Sequence, residues 1–155
     1  MQSNVAKLNI LLDLIRKKKV LLAQILTICE NQEAVLAAER SAEHDRLFIG
    51  MGHEKQLLVD EVVATDTLFQ KMFDEIGSDF QVVAEEHKDM IQSLQELVMG
   101  VTELDTNIRL TENRNLESIA RTRSHQPPRS VNEVSKQQLL KQYKSHDKKK
   151  STKKD

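Results

Sequence analysis

The sequence predicts an all-α fold: an elongated three-helix antiparallel coiled-coil hairpin or bundle, followed by a disordered basic C-terminal tail. Three observations predict it. Apolar residues recur at alternating steps of three and four, as Phe80, Val83, Met90, Leu94, Leu97, Val101, Leu104 and Ile108, with only His87 interrupting; such a seam follows one stripe of an α-helix and needs a partner helix to cover it. Four Gly, two Pro, no Trp and 3% aromatic residues supply too little turn chemistry for an all-β or doubly wound domain. Charge is also segregated. Residues 1–120 carry 12 Lys plus Arg against 21 Asp plus Glu, a balance of −9, whereas residues 121–155 carry 11 against 3, a balance of +8, so an acidic body precedes a basic tail.

The body is expected over residues 1–123, with helices at about 4–39, 44–76 and 79–122. The first carries Leu8, Leu11, Leu12, Ile15, Leu22, Ile25, Leu26, Cys29 and Leu36 on a face broad enough to touch two neighbours. Lys18 and Lys19 fall on this stripe and read as a rim, their stems covering apolar surface while the ammonium groups reach water. The single cysteine excludes an internal disulfide framework and reads as a small buried hydrophobe. Asp13 and the basic residues 16–19 interrupt the only candidate for a secretory or membrane segment, so a cytoplasmic protein without membrane insertion is expected.

Around residues 40–45 the apolar pattern lapses, which predicts a tight turn that folds the second helix back on the first. That helix is read through Phe48, Met51, Leu58, Val62, Thr65, Phe69, Met72 and Ile76, with Lys55 as an exception. Gly50 and Gly52 inside it imply late initiation, a kink or a close backbone crossing. At Gly77-Ser78 the seven-residue register breaks; either a stutter passes through one continuous helix or the chain stops and restarts. A left-handed Gly77 followed by Ser78-Asp79-Phe80-Gln81, which has the form of a capping box, favours the restart.

The third helix carries its apolar stripe over residues 80–119, roughly 60 Å at about 1.5 Å per residue, the seam drifting to Leu116 and Ile119 beyond Ile108. His87 on that seam reads as an interior polar group that fixes register. Pro127 and Pro128 mark a linker at 124–130. Ser130-Val131-Asn132-Glu133, a second capping-box form, opens a short inducible helix at 131–145 with Leu139, Leu140 and Tyr143 on one side. Residues 146–155 are Lys-rich and expected to stay disordered and solvated.

Catalytic and metal-binding patterns are absent from the sequence. No Glu has a His three residues later, as a di-metal helix bundle requires. His53-Glu54-Lys55 lacks the second His of a zinc-protease helix, and Gly50-Met51-Gly52 lacks the surroundings of a dinucleotide loop. Glu85-Glu86 and Asp60-Glu61 read as solvated faces. A non-enzymatic protein without cofactor or metal is expected. The lysine tail would attract phosphates nonspecifically, but the acidic body repels the same backbone and stacking aromatics are missing apart from Tyr143, so no specific nucleic-acid partner is expected.

The turn near residue 42, followed by Glu54-Lys55-Gln56-Leu57-Leu58 on the second helix, and the Asn- and Arg-rich stretches Leu104-Asp105-Thr106-Asn107 and Glu112-Asn113-Arg114-Asn115 on the third, resemble the FlgN family of flagellar export chaperones over residues 5–120. Arg121-Thr122-Arg123 stands where that family continues into an apolar final turn. The resemblance implies a cytoplasmic chaperone of bacterial flagellum biogenesis. It would hold the helical terminal segments of hook-associated, filament-junction proteins unaggregated and competent for type III export, with the export apparatus as a further partner. It implies partner contacts toward the C-terminal region: Leu104, Ile108, Leu116, Ile119, Leu139, Leu140 and Tyr143. An unpaired apolar stripe on the third helix would accept the client as helix in groove. The alternative is a structural coiled-coil protein that self-associates through residues 80–108 and has no secretion client.

Overall fold

The computed structural model describes residues 3–125. The chain is all-α, with three long helices and no strand among the described residues. Helix α1 spans Asn4–Ala37 and α2 spans Ala42–Ile76; a 3₁₀ turn at Gly77–Asp79 leads into the short α3, Phe80–Glu86, and α4 runs over Lys88–His125. The last helix thus continues two residues past the expected end of the body. The rest of the expected linker, the short helix at 131–145 and the Lys-rich tail, with Leu139, Leu140 and Tyr143, lie outside the described residues.

Local chemistry explains each boundary. Ser3 Oγ accepts the Ala6 backbone N–H at 3.2 Å and Ser41 Oγ accepts that of His44 at 3.1 Å, each satisfying one of the orphan donors at a helix start. The α1–α2 turn is closed by His44 Nδ1 against the Glu39 carbonyl at 2.7 Å and by Arg40 against Asp45 at 3.6 Å. Glu43 and Asp45 lie in the first turn of α2, where carboxylates favour the positive end of the helix dipole. Gly50 and Gly52 lie inside the continuous α2, so they do not delay its start. Gly77 takes φ +57°, a conformation that costs a residue with a Cβ, and there α2 stops. The expected capping box does not form: Asp79, not Ser78, caps α3, and it makes no side-chain capping bond. A second break falls at His87, with φ −130° and ψ 56°, which puts this residue in the joint between α3 and α4 and not on one uninterrupted seam.

Two compact units divide the chain. The first joins the residues up to Ile25 with Leu58–Asn107. Its core is apolar: Leu8, Leu11, Leu12, Ile15, Leu21, Leu22 and Ile25 from α1, with Ile76, Val83, Leu94 and Val101, are all buried. Phe73 and Phe80 meet across the 3₁₀ turn with ring centroids 5.0 Å apart. Lys18 reaches Asp66 at 2.7 Å with 24% of its side chain exposed, and the Lys19 stem lies over Gly100, the Cε 3.0 Å from where a Cβ would stand. Both lysines therefore border the core while their charges face outward.

The second unit joins Leu26–Leu57 with the residues from Ile108 onward. Phe48 and Ile119, 1% and 2% exposed, form its apolar centre, with Val35, Leu36, Ile49 and Leu116 packed around them. Within this unit α1 and α2 run antiparallel on either side of the turn, and α4 runs parallel to α1, Cys29 facing Glu112 and Glu33 facing Arg114.

By length and composition α1 could cross a membrane. The charged residues 13 and 16–19 do not remove it from that class as expected, because they interrupt only part of a 34-residue helix. A core helix of a soluble protein passes the same test, and Leu21, Leu22, Ile25, Ile28, Cys29 and Gln32 of α1 are buried.

Candidate functional site

The expected partner stripe, which lies on α3 and α4, is largely covered by the chain's own helices. Val83, Leu94, Val101, Ile108 and Ile119 are between 2% and 8% exposed, and Met90, Leu97, Leu104 and Leu116 are half-buried. The sequence leaves open whether this seam is satisfied within one chain; here most of it is, and Met90, Leu97, Leu104 and Leu116 keep part of their surface exposed. Of the expected contact residues, Ile108, Leu116 and Ile119 gather in the second unit, and Leu104 lies in the first.

What the second unit holds beside its apolar centre is a layer of buried polar side chains. Gln32 on α1, Lys55 on α2, and Thr111, Glu112 and Asn115 on α4 are all under 7% exposed. Lys55 Nζ lies 3.5 Å from Glu112 Oε1, with 7% of each side chain exposed, and donates to Gln32 Oε1 at 3.1 Å. Gln32 Nε2 in turn donates to the Phe48 carbonyl at 3.5 Å. The Cys29 thiol points to Glu112 Oε1 at 3.8 Å, and Asn115 Nδ2 donates to the Cys29 carbonyl at 3.1 Å. Side chains from all three long helices thus meet in a connected network, the condition under which buried polar groups are tolerated.

Helix periodicity puts these residues there. Ile108, Glu112, Asn115 and Ile119 follow one another at steps of four, three and four; because Leu104 to Ile108 is also a step of four, the seam drifts by one residue toward Ile119, as expected, and polar side chains occupy it. Lys55 likewise holds a core position of α2, and its long stem carries the ammonium across to Glu112. At the rim of the layer Arg114 Nε donates to Glu33 Oε2 at 2.6 Å and another guanidinium nitrogen donates to Thr111 Oγ1 at 3.1 Å. The hydrogen bond to Glu33 holds Arg114 above its usual pKa.

The layer was missed in sequence because a polar residue at a seam position reads as an interruption. The available signal was coincidence: Gln32, Lys55, Glu112 and Asn115 interrupt three helical stripes, with opposite charges among them.

Among the described residues, no group of three or more His, Cys, Asp or Glu side chains could hold a metal ion. The layer instead sets Glu112 opposite Lys55 and the Asn115 amide beside the Cys29 carbonyl, next to the apolar side chains around Phe48 and Ile119. Compared with family models, curated proteins and solved structures, the chain matches none.

Proposed function

We propose that this chain is a non-enzymatic cytoplasmic chaperone of flagellar type III export, which binds helical terminal segments of hook-associated proteins and keeps them unaggregated before secretion. The observation that carries this reading is the meeting of two stretches on which the family resemblance rests. Glu54-Lys55-Gln56-Leu57-Leu58 on α2 and Glu112-Asn113-Arg114-Asn115 on α4 touch through Lys55 and Glu112, 3.5 Å apart. Residues far apart in sequence and individually unremarkable in an acidic helix thus join in one built feature, in the region to which the resemblance assigns partner contacts. Three long helices joined by a buried polar layer suit a protein whose ligands are helices. The competing scaffold role has less support: a dimer zipped through residues 80–108 needs Val83, Leu94, Val101 and Ile108 on its surface, and all four are buried within one chain.

Copurification of the full-length chain with hook-associated filament-junction proteins tests the proposal. Stable complexes are expected, and deletion of residues 124–155 should abolish them while helix content by circular dichroism is retained. No complex with any such protein would refute the role; undiminished binding after the deletion would take the tail out of the mechanism.

A further inference from the structure

The part of α4 beyond Asn107 is attached differently from the part before it. In the first unit α4 contributes Leu94 and Val101 as its buried residues; in the second it contributes Ile108, Thr111, Glu112, Asn115 and Ile119, so polar side chains make up most of what it buries there. A buried ion pair gives specificity with little net stability, because desolvation offsets most of the attraction. Just before this stretch α4 is also intrinsically weak. Thr102 and Thr106 each bond back to the carbonyl four residues earlier, at 3.0 Å, a pattern that bends and slightly destabilises helices, and Asp105, Thr106 and Asn107 are all poor helix formers.

We propose that residues 108–122 of α4 form a latch: they lift off α1 and α2 as a local opening about residues 102–107, and an amphipathic partner helix takes their place. The partner is defined by what the latch leaves behind. It carries an apolar residue, then a carboxylate for Lys55, an amide for the Cys29 carbonyl and a second apolar residue for the Phe48 side, at steps of four, three and four, as Ile108, Glu112, Asn115 and Ile119 do now. The latch is the chain's own copy of the ligand pattern and keeps Phe48 covered until a client competes for the place. Occupancy by a foreign helix rests on the carrier role proposed above; the opening does not.

Hydrogen exchange on the full chain, followed by mass spectrometry, tests the opening without a client. Amides of residues 108–122 should exchange at least about tenfold faster than those of residues 21–36 on α1, as in a sub-global opening; equal rates would overturn the latch. Replacing the ion pair by apolar side chains, Lys55→Met with Glu112→Leu, should slow the exchange of 108–122 toward that of α1, and an unchanged rate would overturn the polar layer as its cause. Should that variant fail to fold, Glu112→Gln serves instead and should speed the exchange, with no change counting against the proposal. The occupant is tested with a fluorescent peptide of residues 104–122 added in trans. Binding to the full chain is expected, together with its loss when the peptide carries Glu112→Lys; absence of binding, or indifference to that substitution, would overturn the exchange. Equal exchange rates would leave the export role standing, and failure to copurify with junction proteins would leave the latch standing.

Discussion

Lys55 on α2 and Glu112 on α4 form an ion pair at 3.5 Å with 93% of each side chain removed from solvent, and the two are 57 residues apart in sequence. Removing one member leaves the other charge buried without its counter-charge, whereas removing both leaves a hydrophobic contact. Glu112→Leu alone should therefore destabilise the protein by about 3–5 kcal/mol, and Lys55→Met with Glu112→Leu should be neutral or stabilising by about 1–4 kcal/mol. Urea unfolding of the single and double variants, analysed as a cycle, measures both. A double variant as unstable as the single would contradict this account of the pair.

Phe48, 1% exposed, and Leu57, 68% exposed, sit on the same helix. Truncating the first opens a cavity at the centre of the second unit, so Phe48→Ala should cost about 3–5 kcal/mol. Leu57→Ala should stay within about 0.5 kcal/mol, as surface substitutions do. Thermal melts of both should separate them by many degrees.

Two glycines should respond to Ala in opposite directions. Gly77 has open space around it but a φ of +57°, so Gly77→Ala should destabilise by about 1–2 kcal/mol through backbone strain alone. Gly100 lies in helical α4, where a Cβ meets only the end of the Lys19 side chain at 3.0 Å. That flexible chain can swing aside, and Gly100→Ala should stabilise by up to about 1 kcal/mol from helix propensity. Equal shifts in melting temperature for the two variants would contradict the assignment.

The rim pair between Arg114 and Glu33 is short, at 2.6 Å, but its side chains are 55% and 39% exposed. Solvent screening should keep the stability loss of Glu33→Gln small and make it shrink further with added salt. Denaturation at low and high ionic strength reads this directly, and a salt-independent loss would show that the contact acts by packing.

The helices and their cores were legible in sequence because burial follows periodicity. Leu8, Leu11, Leu12, Ile15 on α1, Phe48, Thr65, Ile76 on α2 and Val83, Leu94, Val101, Ile108 on the last stripe were expected on core faces and are buried. The break at Gly77 was legible because a left-handed turn has few residues that suit it. Two things were not. A period of three and four states which face needs cover but not which chain supplies it, so the occupied α4 seam could not be distinguished from a vacant one. Lys55, Glu112 and Asn115 were hidden for another reason: their cost of burial depends on partners from other helices, and no single stripe contains them.

Cys29 is the sequence's only thiol, fully covered and lodged beneath α4 against Glu112 and Asn115. A soluble thiol reagent can reach it only when that cover parts, so the rate of its modification in the native protein is a stopwatch for the movement. The unaltered molecule already contains its own reporter, at the one place where a probe installed by mutation would disturb what it was meant to time.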